Sequence, residues 1–268
     1  MVLFRAGKPD SWITFVSEPP HAAMITGRFA LQREYVRVAG FNTTGPGIRD
    51  GMDVTASNTV IQGNEFHDIH KFEPSSDGGS GLTVFTDDYE PLENVIVDGN
   101  HVYDIGLSVG DNELVQGIYI SVPCKECAVV NNLVHQVADF GIHSYHRPRD
   151  WLVANNTVFN NGRGILADPD FTVINNISFD HQRSNYDIRG PAAISHNLSF
   201  GRGSAKLTGV TVADPRFVNY QADGSGDYHL TAGSPGIDCG TAEKAPTHDI
   251  DGRTRPQGKG YDIGVYEQ

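Results

Sequence analysis

Residues 151–179 read W-L-V-A-N-N-T-V-F-N-N-G-R-G-I-L-A-D-P-D-F-T-V-I-N-N-I-S-F, and within them V-A-N-N-T-V-F returns as V-I-N-N-I-S-F. The same line occurs upstream as VIQGNEF, IVDGNHV and VVNNLV, and downstream as AISHNLSF. Asn64, Asn100, Asn132, Asn156, Asn176 and Asn197 therefore occupy one position of a repeated unit, spaced 36 residues apart at first and 20 to 21 at the end. A period near twenty with variable insertions means that one structural unit is stacked on itself. Each unit runs in the same order. A short alternating strand leads to the Asn, and a second short strand follows (NEFHDI, NHVYDI, NLVHQV, NTVFNN). After a Gly-containing turn comes a third strand (GLTVF, GIYIS, GIHSY, GILAD, NYDIR). Short strands and turns at this period describe an all-β solenoid, a parallel β-helix. Alternation along each strand predicts Val60, Val95, Val129, Val153 and Val173 inward, with Ile118, Ile142, Ile165 and Ile188 inward on the third strand. Stacked Asn amides both donate and accept, so each copy can satisfy the next and the turn backbone around it.

The composition agrees. Gly is abundant (30 of 268 residues), and the apolar residues favour Val, Ile, Phe and Tyr, which suit strands. No run of apolar residues is long enough for a transmembrane helix. A net charge of −13 argues against a nucleic-acid partner, and a polyanionic substrate would require basic residues gathered locally. The start, MVLFRAGKPD, lacks the apolar run of a signal peptide, so the chain is expected to be intracellular or to begin after a removed leader. Cys124 and Cys127 form C-K-E-C, a loop dithiol or small disulfide. Cys239 stands alone, and no second ligand pair points to zinc.

These repeats resemble the right-handed parallel β-helix proteins of the pectin-lyase-like superfamily, which includes many polysaccharide lyases and glycosidases. The likeness covers roughly residues 13–210. The tail carries D-x-D-G-x-x-R-P (Asp249 to Pro256) and D-I-G-x-Y-E (Asp262 to Glu267). It resembles the C-terminal segment of secreted bacterial cell-surface β-helix proteins. The organisation expected is a single-stranded right-handed β-helix over 1–210, with 211–268 as a capping segment packed on the last coil. The resemblance implies a polysaccharide partner and a secreted or cell-surface location.

If the third strands lie side by side, their outward residues form two rows. The first is Asp53, Thr83, Tyr119, His143, Leu166 and Asp187. The second is Thr55, Phe85, Ser121, Tyr145, Asp168 and Arg189. Aromatics, His, Asp and Arg mixed on one face suit a sugar site, where rings stack and polar groups fix hydroxyls. Insertions at 70–80 and 106–116, and the segments TDDYEPLE and HRPRD, cluster at its edges. The densest constellation is H-S-Y-H-R-P-R-D, residues 143–150. β-Elimination from a uronate needs a cation on the carboxylate, a base for the C5 proton and an acid for the leaving oxygen. Arg147 or Arg149 fits the first role, His143 tuned near neutrality the second, and Tyr145 or Tyr119 the third. His146, Arg149, Phe85, Asp168, Asp187 and Arg189 are the expected substrate contacts. The function expected is thus a polysaccharide lyase. Alternatives are an inverting hydrolase using Asp168 and Asp187, set on the order of 8 Å apart, a C5-epimerase on the same face, or a non-catalytic glycan-binding module. Asp87, Asp88, Glu90, Asp111 and Glu113 mark a candidate Ca2+ site from two neighbouring loops. His67, His70 and His135 show no metal-ligand spacing.

Overall fold

The computed structural model describes residues 5–45, 48–69, 78–107 and 114–268. Within them the chain winds repeatedly through three parallel sheets. The first has eight strands, from Ile13–Val16 to Ala193–Ser195, the second nine, from Met24–Thr26 to Val210–Val212, and the third seven, from Phe29–Leu31 to Ser184–Ile188. Each interior strand pairs with its counterparts one coil before and one coil after, as Val95–Asp98 does with Thr59–Gln62 and Cys127–Val130. This is the parallel β-helix expected from the repeat.

The six asparagines form one continuous column between the first and second sheets. The Oδ1 of Asn156 accepts both the backbone N–H and the side-chain N–H of Asn132, each at 2.9 Å. Its own Nδ2 donates to Asn176 Oδ1 at 2.9 Å and to the Val129 carbonyl of the preceding coil. The same pattern joins Asn64 to Asn100, Asn100 to Asn132 and Asn176 to Asn197. The residue before each column member has a positive φ: Gly63, Gly99, Asn131, Asn155, Asn175 and His196, all between 53° and 63°. Gly, Asn and His are suited to this left-handed corner.

The core lies inside the coils, and register turns one of the expected inward residues, Val60, out of it and leaves two others, Val95 and Ile188, packed on the core but off the row. Ile61, Val97, Val129, Val153 and Val173 align as fully buried partners, whereas Val60 pairs with Ile96 one residue out of phase and is only half-buried. Val95 is buried but sits two residues before its coil's row member, Val97. On the third strand, Ile118, Ile142 and Ile165 are followed by Tyr186 rather than Ile188. The Tyr186 hydroxyl donates to the Asn176 and Leu198 carbonyls, which settles its polar end inside the core.

The tail reaches well beyond the last coil on which it was expected to sit. It runs along the flank where the corner residue is Asn. Asn131, Asn155 and Asn175 donate to the carbonyls of His248, Asp262 and Thr241 at 3.1, 3.0 and 2.8 Å. Tyr228, Leu230, Ile263 and Val265 bury against Leu133, Phe159, Ile177 and Leu198 from several coils. The tail motifs supply its internal anchor. Arg255 and Glu267, both fully buried in their side chains, pair at 2.7 Å, Glu267 accepts the Asp262 N–H, and Asp249 accepts the Glu267 N–H. Cys124 and Cys127 are joined as a disulfide, and Cys239 is a free, exposed thiol. No helix among the described residues is long and apolar enough to cross a membrane.

Candidate active-site groove

The third sheet carries one more outward row than simple alternation allows, because of a glycine column inside its strands. Gly51, Gly81, Gly117, Gly141 and Gly164 each precede a buried apolar residue: Met52, Leu82, Ile118, Ile142 and Ile165. Both members of each pair face inward. A Cβ on Gly117 would come within 2.8 Å of Val134 Cγ1, and one on Gly141 within 2.5 Å of Val158 Cγ1. Only glycine allows the strand to bend there without a clash. The doubling resets the phase, so the residue before each glycine turns outward. Asp50, Ser80, Gln116, Phe140 and Arg163 align in register as this extra row.

A groove of about 800 Å³ runs over this sheet. Part of the predicted rows lies in it: Asp53 pairs with Thr83, Thr83 with Tyr119, and Tyr119 with His143, whereas Thr55, Leu166, Asp168 and Asp187 do not line it. In the second row, the N–H of Phe85, Ser121, Tyr145 and Arg189 each bonds the preceding coil one residue further along. Four arginines line the groove: Arg28, Arg49, Arg163 and Arg189. Arg163 stands over the Phe140 ring at 4.8 Å and Arg189 over the Tyr145 ring at 5.8 Å. Between these two cation–ring pairs lies His143, its imidazole stacked on Phe140 at 4.2 Å and next to Tyr119 at 5.5 Å.

His143 is only 7% exposed, and its Nδ1 has no hydrogen-bond partner. Burial holds its pKa down to about 3, and the charges of Arg189 and Arg163 push in the same direction. The expectation of an imidazole tuned near neutrality is thereby corrected: the ring is neutral throughout the ordinary pH range. Tyr119 is held protonated, its pKa raised by burial and then by Tyr89, Tyr145 and Asp168. An adjoining cavity of about 290 Å³ is lined by Tyr145, His146, Arg147, Asp168 and Arg189. Asp168 is 8% exposed with Oδ2 unpartnered; burial raises its pKa while Arg189 opposes the shift.

At the opposite end, Arg49 pairs with Asp50 at 3.2 Å, and Arg28 with Asp53. Burial, and then the Asp53 charge, lifts the Asp50 carboxyl to about 6. Thr83, 7% exposed, leaves its Oγ1 without a partner between this cluster and Tyr119.

The sequence model of the family described as "Right handed beta helix region" matches residues 41–179, just over half of the 268 residues. The chain belongs to that right-handed β-helix family. A crystal structure of pectate lyase Pel9A is similar in fold, with a TM-score of 0.47 and 15% identity over 100% of this chain and 82% of that one. No curated protein matches the sequence.

Within this β-helix, Tyr119, His143, Tyr145, His146, Phe85 and Arg189 gather in the groove, while Arg147 and Asp168 line the adjoining cavity. Two expected contacts lie elsewhere. Arg149 is exposed and pairs with Asp170 at 3.1 Å. Asp187 lines neither cavity and accepts a hydrogen bond from Ser184 at 2.6 Å. The carboxylate pair of the hydrolase alternative is therefore not presented to one cavity. Among the candidate calcium ligands, Asp87 lines the groove, whereas Asp111 and Glu113 lie outside the described residues, as does His70. No three His, Cys, Asp or Glu side chains among the described residues are grouped to hold a metal ion. The residues missed from sequence are Arg28, Arg49, Asp50, Phe140 and Arg163. The G-M, G-L, G-I, G-I, G-I dipeptides were the signal for three of them.

Proposed function

We propose that this protein is a polysaccharide lyase that cleaves a uronate-containing glycan by β-elimination in the third-sheet groove. The observation that carries this reading is the gathering of Arg163 and Arg189, held on aromatic rings, around a neutral buried histidine in a chain of net charge −13. A uronate carboxylate seated between the two guanidinium groups would have its charge quenched, which acidifies the C5 proton. His143 then takes that proton, the bond from C4 to its oxygen breaks, the C4–C5 double bond forms, and the leaving oxygen takes a proton from Tyr119 or Tyr145. Burial is the largest cause of the depressed basicity of His143; binding relieves the part that comes from Arg189 and Arg163, which become paired with the substrate carboxylate. Arg147 is positioned for the neighbouring sugar in the adjoining cavity. A polysaccharide substrate of this kind fits a secreted or cell-surface setting.

The test is ultraviolet detection of the unsaturated uronate product over a panel of pectate, alginate and glycosaminoglycans. Product on at least one member is expected. No product on any member, with reducing ends also unchanged, would leave a glycan-binding module as the better description.

A further inference from the structure

The two ends of the groove differ in kind. Among the described residues, the three carboxylates that line it, Asp50, Asp53 and Asp87, belong to its first coils, where Arg28 and Arg49 are engaged with Asp53 and Asp50. Among the described residues no carboxylate lines the groove itself at the end that holds Arg163 and Arg189, although Arg163 lies 3.7 Å from the buried Asp139 and Arg189 shares the adjoining cavity with Asp168. Asp53 and His143 share one outward row, three coil steps apart through Thr83 and Tyr119. At about 4.8 Å per step that is roughly 14 Å, farther than one sugar ring reaches. Different residues of one glycan must therefore meet the two ends.

The chemistry of the first end is that of hydroxyl recognition. Buried carboxylates accept hydrogen bonds from sugar hydroxyls, and Thr83 Oγ1 is a nine-tenths buried group with no partner of its own. Ser80 and Gln116 add further donors and acceptors, and Phe85 offers a ring face. A second uronate placed here would instead set its charge against the buried Asp50 and Asp53, with the exposed Asp87 beside them.

We infer that the Asp50–Asp53–Thr83 end is a subsite for an uncharged, hydroxyl-rich sugar, so that the preferred glycan carries neutral residues beside its uronates rather than a uronate at every position. This deepens the proposed lyase reading and rests on it for the position of the uronate. The end of the groove selects the polymer, and the Arg163–Arg189 end reacts with it.

The experiment compares polygalacturonate, a homopolyuronate, with hyaluronan, in which uronate alternates with an N-acetylated neutral sugar. Turnover and calorimetric binding are measured for the wild type, Asp50→Asn, Asp53→Asn and Thr83→Val, with thermal unfolding as the folding control. The wild type is expected to favour the alternating polymer by about tenfold or more in kcat/KM. Asp50→Asn and Asp53→Asn should narrow that preference by strengthening the homopolymer. Thr83→Val should weaken the alternating polymer roughly threefold to tenfold, the loss of one hydrogen bond. Equal or better use of polygalacturonate by the wild type would overturn the inference, as would Asn variants that fold normally and leave the preference unchanged. If neither polymer is cleaved, the wider panel decides the lyase reading, and the binding preference alone still decides this one.

Discussion

The asparagine column and the groove are built from the same coils, and both bury polar side chains, but they leave them in opposite states. In the column, Asn156 takes part through its side chain in five hydrogen bonds, to Asn132, Asn176, Val129 and Ala154. In the groove and its adjoining cavity, Thr83 Oγ1, His143 Nδ1 and Asp168 Oδ2 are buried without a partner. An unpaired buried polar atom costs stability, and three of them fall along this one face, with Thr43 Oγ1 and the Tyr220 hydroxyl unpaired away from it. The contrast separates the part of the repeat that holds the solenoid together from the part available to a ligand.

The strongest way to break the comparison is at the column. Asn156→Ala leaves backbone and side-chain groups of two neighbouring coils unsatisfied at once, and should cost about 3 kcal/mol or more of unfolding free energy. Denaturant unfolding reads this. A loss below about 1 kcal/mol would mean that water or a shifted coil replaces the ladder.

Substitution in the groove should behave in the reverse way. Arg189→Gln removes a charge that lies over Tyr145 and lines both cavities. Stability should change by less than about 1 kcal/mol, as for an exposed charge. Turnover of the uronate polymer should fall roughly tenfold to a hundredfold through lost charge-assisted binding. A large stability loss with unchanged turnover would place Arg189 in the framework.

The smallest expected effect concerns pH. His143 titrates at 6.5 when unperturbed and near 3 in the fold, so the folded chain binds fewer protons between those values. Its contribution to stability is complete above 6.5 and is lost as pH falls toward 3. His143→Phe lacks that dependence. The stability difference should move in favour of the variant by roughly 1–2 kcal/mol as pH falls from 6.5 to about 5. No relative change would mean that the imidazole titrates normally.

The solenoid was legible in the sequence because the column demands one residue type at one place per coil. Used as a ruler, the column also aligned Thr83, Tyr119, His143 and Asp53 in the row where they are found. Val60 went astray because the strand was phased by its own alternation; counting back three residues from Asn64 gives Ile61, just as counting back from Asn100 gives Val97. The extra row of Phe140 and Arg163 was lost because the glycines were taken for turns. In the fold they sit inside strands, facing a core with no room for a Cβ. The reach of the tail was hidden for a similar reason. The change from Gly63 and Gly99 to Asn131, Asn155 and Asn175 keeps the same positive φ and adds an amide that grips the tail, a distinction invisible until the two segments meet.

The most direct test of the groove's chemistry is the unsaturated-uronate assay on the wild type and His143→Phe side by side. Phenylalanine keeps an aromatic ring against Phe140 and removes the imidazole nitrogens, one of which has no partner. Loss of product by roughly 10²–10⁴-fold, with thermal unfolding at neutral pH unchanged, is the predicted result. A folded His143→Phe protein that releases product at the wild-type rate would contradict it.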